Sequence, residues 1–548
     1  MIVLHKPRRV ALSALTTAVL TTASMGLAPA FAQTSASSAP LVVVPGPSGT
    51  FQENFNPFGK ALVGTMGLVY QPLFYFHTHS AKVTPILGTS FAWSNHNTTL
   101  TVHLRHGVHW SDGQLFTTKD VVFSFTIRKR FPQLDTGGVW DYLSGVKAAG
   151  QYTVQFQFKQ VDVPFQWYVL RTPIIPEHVW AKVTNPATTL NLRPIGTGPY
   201  LFNSFNPEEY TFVANPHYWG GKLAVHEIQF PAYTSNTSIA GGLVQGKIDW
   251  AEIFIPNIRR VYVNASPKTN HYYFAGGSTL MLYTNFKDPL LSMLPVREAM
   301  SLAINRQKVN AADYQYAPIA NAFDMLSRTT KGWLSPALAK QYQGALQYNP
   351  AKAVSILEKA GFKKDSSGIF VSPSGKPLSF ILQVVSTYSE WVAMAGIISS
   401  ELRSVGIQVT VQSESKSLYT NNLFKAHQYQ LTLSWTDNGP TPFYAYYSMM
   451  YPNLPSNSEN WNNPTTTRLL NDYLHTSLPS VQHRVMNSLE GIVASDLPSI
   501  PLVETPNWYE YSTRNFVGWP NASNPYARGG PATSPSNAVV LTHLLPVN

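Results

Sequence analysis

Asp437 sits in Ser434-Trp435-Thr436-Asp437-Asn438-Gly439-Pro440, directly after a strand read over residues 429–435. A carboxylate at a strand end suits a charge-assisted hydrogen bond to a cation. It equally suits capping of the turn through Asn438-Gly439. A second kind of site needs flat aromatic faces for pyranose C–H surfaces and planar amides for hydroxyl pairs. Trp391, Trp435, Trp508 and Tyr388, with Asn54 and Asn56, are of that type, although most tryptophans in a chain this long pack cores or hinges. Phe51, Phe55 and Phe58 share the Gly/Pro/Asn loop with those two asparagines and either line a mouth or plug a core.

Other chemistries are poorly served. His103, His106 and His109 form an H-x2-H-x2-H run, but on a strand and turn residues three apart face opposite sides, so no metal site is expected. There is no cysteine, hence no disulfide, thiolate site or cysteine nucleophile. G-x-S-x-G, the P-loop, G-x-G-x-x-G and H-E-x-x-H are all missing, and neither a cofactor nor an enzyme is expected. Two unmarked carboxylates, such as Asp112 and Glu390, leave a secreted hydrolase as the remote alternative.

The elements that must position these residues form an α/β chain. At 548 residues it is too long for one core, so two or three lobes are expected. A strand over 380–385, a helix over 391–405 and a strand over 407–412 make a β-α-β unit, followed by the strand that ends at Trp435. Thr99–Leu104 alternates as a strand, and Thr118 caps a helix over 120–130. Residues 296–309 read as one helix, and 350–360, 467–478 and 481–495 as others. Residues 500–504 return as a strand before a Pro/Asn/Gly-rich tail. No long linker separates lobes, so several short crossings must join them.

Charge and leader set the compartment. Charged residues are 12% of the chain, about half the usual share, and 28 acids against 39 bases give +11. The bases are scattered with no block of five, so no nucleic-acid partner is expected. Scarce acids suit a protein working in an acid medium, where carboxylates would protonate. Lys6, Arg8 and Arg9, an apolar stretch over 10–27 and Ala30-Phe31-Ala32 form a signal peptide over 1–32. Its removal lowers the charge to +8. Without a lipobox cysteine the product is expected to be exported, soluble and not a lipoprotein, and no later apolar run is long enough to span a membrane.

Two segments carry most of the remaining information. Gly196-Thr197-Gly198-Pro199-Tyr200 is a tight turn into a strand, and Asn215-Pro216-His217-Tyr218-Trp219-Gly220 closes the same hairpin with two large anchors. Leu104-Arg105-His106-Gly107-Val108-His109-Trp110-Ser111-Asp112-Gly113 precedes Thr117-Thr118-Lys119-Asp120-Val121-Val122-Phe123-Ser124. Later come residues 282–285, then Val296-Arg297-Glu298-Ala299 and Ala303-Ile304-Asn305-Arg306. In this order they resemble the extracytoplasmic solute-binding proteins of ABC importers, of the oligopeptide, dipeptide and nickel type (bacterial solute-binding protein family 5). The resemblance implies a periplasmic-binding-protein-like type II clamshell with an extra inserted domain (cluster C-like). Base domain I would comprise 33–78, 198–284 and 507–548, inserted domain II 79–197, and closing domain III 285–506. Hinges would lie near 282–289 and 502–508. The resemblance further implies a monomer that captures a small ligand between the lobes and delivers it to an ABC permease and ATPase complex.

In peptide binders of this type an aspartate in a run like 434–440 holds the ligand's α-ammonium, which maps to Asp437. Dipeptide binders place an arginine after the strand matching 380–385, and here the positions read Ser386-Thr387-Tyr388. An oligopeptide read through its backbone is the leading ligand. The tail Asn515-Phe516-Val517-Gly518-Trp519-Pro520 with Asn524-Pro525-Tyr526 resembles the branch that binds β-linked oligosaccharides, the alternative. The candidate binding residues are Asp437, Trp435, Asn438, Tyr388, Trp391, Phe55, Asn56 and Trp508.

Overall fold

The structure, a computed structural model, describes residues 39–77, 82–313, 318–327, 332–436 and 439–547. The leader, Asp437 and Asn438 lie outside the described residues. Three sheets organise the chain. A seven-stranded sheet runs, edge to edge, through Asn270–Tyr272, Glu510–Ser512, Trp250–Ala251, Leu41–Val44, Glu227–Pro231, Glu209–Ala214 and Tyr200–Asn206. A four-stranded antiparallel sheet of Gly88–Ser94, Thr99–Leu104, Thr153–Phe158 and Leu143–Ala148 is inserted between strands of the first. A five-stranded sheet follows in the order Gln408–Glu414, Ser379–Val385, Leu431–Trp435, Ala275–Thr284 and Ser499–Asn507.

The β-α-β reading holds, with Ser379–Val385 and Gln408–Glu414 parallel. The helix between them, Ser389–Ser404, buries Trp391, Met394, Ala395, Ile398 and Leu402 on one stripe against the sheet. Leu431–Trp435 is buried along its first four residues, as a strand covered on both faces must be. The helix Thr118–Arg130 starts at a capping box in which Thr117 and Asp120 satisfy each other's backbone N–H.

Three expectations need correction. Ala275–Thr284, assigned to the base, instead runs through the second lobe's sheet, paired with both Leu431–Trp435 and Ser499–Asn507. The chain therefore passes between the two large sheets at 272–275 and again at 507–510; Leu282 is buried in mid-strand and cannot be a hinge. The helix expected over 296–309 is two, Leu294–Ala303 and Arg306–Asp313. Arg306 turns inward to donate to the Pro501 and Ser301 carbonyls, and the Asn305 side chain caps the second helix at Gln307 and Lys308. The tail also holds a helix, Ser536–His543.

The hairpin signature is a structural lock. A Cβ on Gly198 would lie 1.9 Å from the Leu68 carbonyl oxygen, so only glycine admits that approach. Asn215 binds the Pro199 and Gly198 carbonyls. Thr197, Trp219 and Tyr218 all meet the Gln71 side chain. Arg105, from the long signature, lies 4.1 Å over the Trp219 ring.

One core is shared between the inserted sheet and the helices Phe443–Met450, Pro464–Leu474 and Pro479–Asp496 of the second lobe. The Tyr444 hydroxyl donates to the Pro164 carbonyl at 2.7 Å, with Trp167 4.9 Å from the Tyr444 ring and Phe165 5.4 Å from that of Tyr447.

Candidate functional site

Strand directions mark one edge of the five-stranded sheet as the candidate ligand site. Ser379–Val385, Gln408–Glu414 and Leu431–Trp435 are mutually parallel. Ser499–Asn507 runs the same way, because both it and Leu431–Trp435 are antiparallel to Ala275–Thr284. Four carboxyl ends thus lie along one edge. That is also the edge where the chain passes to the seven-stranded sheet. In open α/β sheets ligands sit outside the carboxyl ends of the strands. Tyr388, Lys416, Trp435 and Trp508 each follow one of these ends.

Tyr388 and Trp435, with Trp391, make one aromatic group. Trp391 and Trp435 ring centroids are 4.5 Å apart, Tyr388 and Trp391 5.2 Å, and Tyr388 and Trp435 6.0 Å. Trp391 is fully buried and forms the underlay, whereas Trp435 is 37% exposed. Trp391 therefore supports the surface rather than lining it, a correction to its expected place. Lys416 lies 5.0 Å from the Tyr388 ring, 5.4 Å from Tyr419 and 5.6 Å from Trp435. It forms no ion pair among the described residues.

The loop after Trp435 is anchored from behind. Thr436 N–H donates to the Thr279 carbonyl at 3.1 Å, and its hydroxyl meets the Asp324 carboxyl at 3.4 Å. Burial pushes Asp324 up to about 7, against the hydrogen bonds of Thr279 and Thr436. Glu504 accepts from the Ser327 N–H at 2.8 Å and from its hydroxyl. The chain resumes at Gly439, tight against the Tyr444 ring.

At the crossing, Trp508 packs 5.4 Å from Phe254 and 4.9 Å from Phe274. Asn507, one residue earlier, accepts from the Arg528 guanidinium of the tail. Glu252 accepts from the Ala532 N–H at 3.1 Å; burial pushes its carboxyl up, opposed by that bond and by Arg528.

Two expected site residues are elsewhere. Phe55 is fully buried against Phe202 and Phe212 in the core of the seven-stranded sheet. Asn56 is buried and spends its amide on the Pro186 and Thr189 carbonyls and the Phe58 N–H. Neither is a ligand residue in this arrangement. Asn54 binds the Lys60 carbonyl, Phe51 packs on Tyr210 and Phe58 on Trp180. The three histidines part company: His103 meets Thr153, His106 stacks on Tyr152, and His109 faces the Gly107 carbonyl. Asp112 pairs with His178 on the inserted unit, while Glu390 is in the first turn of a second-lobe helix.

Sequence reasoning missed Lys416, Asn507 and Arg528. The signal for Lys416 was available, since it stands two residues beyond Gln408–Glu414 as Tyr388 stands three beyond Ser379–Val385. A cavity of about 600 Å³ that includes Lys287, Lys425 and His427 opens at the opposite end of this sheet and is no part of the cleft.

Known proteins share the sequence and fold of this chain. A putative ABC transporter peptide-binding protein of Brucella abortus is 26% identical over 418 residues, 72% of this chain and 73% of that protein. The nickel-binding periplasmic protein of Escherichia coli is 27% identical over 365 residues, 64% of this chain and 66% of its own. A periplasmic oligopeptide-binding protein of Thermotoga maritima superposes with a TM-score of 0.86 at 26% identity, covering 92% of this chain and 99% of that one. Its mannohexaose-bound form gives 0.80 over 92% and 98%. These relatives are binding proteins, and among the described residues no helix is long and apolar enough to cross a membrane. The family model of the bacterial extracellular solute-binding proteins, family 5, matches residues 82–458, and the chain belongs to that family, as a substrate-binding protein of an ABC transporter.

Proposed function

We propose that the protein is exported without a lipid anchor and, as a monomer, captures oligopeptides at the strand-end edge and delivers them to a membrane permease. In this reading the base and closing parts meet at the crossings 272–275 and 507–510. The observation that carries it is Lys416. The sequence after Ser379–Val385 offers no cation for a peptide carboxylate, but Lys416 reaches over Tyr388 from the neighbouring strand end. Asp437, two residues past Leu431–Trp435, supplies the opposite charge for an α-ammonium. A zwitterionic oligomer meets both, and each contact is charge-assisted.

A second reading rests on a different observation. The exposed Trp435 face, with Tyr388 beside it, also suits a pyranose ring, and the Thermotoga relative was solved with mannohexaose. Mass spectrometry of small molecules released from the purified protein, followed by calorimetric titration of tripeptides and mannohexaose, separates the two. Tight peptide binding with no response to mannohexaose is the expected result, and the reverse overturns the oligopeptide assignment.

A further inference from the structure

Two donor atoms at the crossing have no hydrogen-bond partner among the described residues. Asn507 ends the strand Ser499–Asn507, on the second lobe, and its Oδ1 accepts from a terminal nitrogen of Arg528, which belongs to the tail beside the seven-stranded sheet. The Asn507 Nδ2 and Arg528 Nε atoms are buried, yet neither has a hydrogen-bond partner among the described residues. The unmet donors thus belong to the two side chains that touch across the lobes. A buried donor left without an acceptor keeps its full desolvation cost. Two together are a poor arrangement unless something outside the chain supplies oxygen.

Glycine backbone packs closely against the polar groups of both lobes here. A Cβ on Gly277 would lie 2.6 Å from Asn507 Oδ1, and one on Gly530 would lie 2.4 Å from a Glu252 carboxyl oxygen. The glycines leave room for the Asn507 amide and the Glu252 carboxyl. Glu252 already binds the Ala532 N–H, and it lies close enough to Arg528 to offset part of the burial cost of the guanidinium. Trp508, the next residue, belongs to the candidate cleft.

We propose that Arg528 and Asn507 form a ligand subsite whose Nε–H and Nδ2–H donate to a neutral acceptor oxygen of the bound oligomer. This rests on the interlobe reading of ligand capture but not on which oligomer is bound. The oxygen is a peptide carbonyl or a sugar hydroxyl, and the subsite positions the ligand backbone rather than its charged ends. Because one donor comes from each lobe, the oxygen is held from both sides.

The test uses Asn507→Asp and Arg528→Lys in the full chain, with tripeptides and mannohexaose titrated separately. Asn507→Asp keeps an acceptor for Arg528 and replaces the Nδ2 donor with a carboxylate oxygen. Its affinity for whichever probe binds the native protein is expected to fall at least tenfold, with the melting temperature nearly unchanged. Arg528→Lys is expected to lose a similar factor while keeping the positive charge. Affinities within twofold of native for both variants would overturn the subsite and leave the transport reading standing. If neither probe binds the native protein, the ligand assignment fails instead, and a crystal structure of the protein as isolated decides the subsite. An organic oxygen on Nε and Nδ2 supports it; protein groups or solvent alone there overturn it.

Discussion

The hairpin signature at 196–220 and the strand-end edge at 385–436 make opposite use of similar residues. In the first, Thr197, Tyr218 and Trp219 close on Gln71, and glycine backbone presses onto the Leu68 and Val69 carbonyls. In the second, Tyr388 and Trp435 lie over a buried Trp391 and keep exposed surface, with Lys416 above them in no ion pair among the described residues. The segments that reveal the family are those whose neighbours are all internal. The segments proposed to choose the ligand are those whose neighbours among the described residues are incomplete.

The sharpest way to break this contrast is at Gly198. Gly198→Ala forces a methyl into the Leu68 carbonyl, and a loss of about 4 kcal/mol, or failure to fold, is expected in denaturant titration. A mild effect would mean the lock is not one.

Next comes Glu459, fully buried in the second lobe, with its carboxyl on the Ser499 hydroxyl at 2.7 Å. Burial pushes it up to about 8. Its folded pKa is above the unfolded one, so its contribution is complete below the ordinary carboxyl range and is lost as pH climbs through about 8. Melting temperatures are expected to fall from pH 5 to pH 9, by the equivalent of about 3 kcal/mol, and Glu459→Gln should flatten that slope. A protein most stable at neutral pH and collapsing near pH 4 would contradict both this and the acid-medium reading of the composition.

At the edge itself, Asp437→Asn is expected to weaken peptide binding by about 2 kcal/mol or more while leaving a neutral sugar almost untouched. Equal losses for both would remove the division of labour proposed for the strand ends. The smallest effect is at the cap of the helix Thr118–Arg130: Thr117→Ala should cost about 1 kcal/mol of stability through the lost cap, with ligand affinity unchanged.

What could be read in advance follows the same division. Local pattern exposed Thr99–Leu104, the helix at Thr118–Arg130 and the β-α-β unit, because each is dictated by neighbours in sequence. Asn305 looked like helix interior until the inward turn of Arg306 gave it a capping role. Phe55 and Asn56 looked like lining because a Gly/Asn loop is usually surface. Their burial comes from residues 130 and more positions away. Lys416 escaped because adjacency of strand ends belongs to sheet order, which no single segment contains.

The two passages of chain at 272–275 and 507–510 have a mechanical corollary. A door hung on two pins swings but does not slide. On the proposed reading a guest is gripped in a fixed register near Asn507 and Trp508, and its far end trails out past the open side. Chain length should matter little to such a receptor, and the identity of the units nearest the pins a great deal.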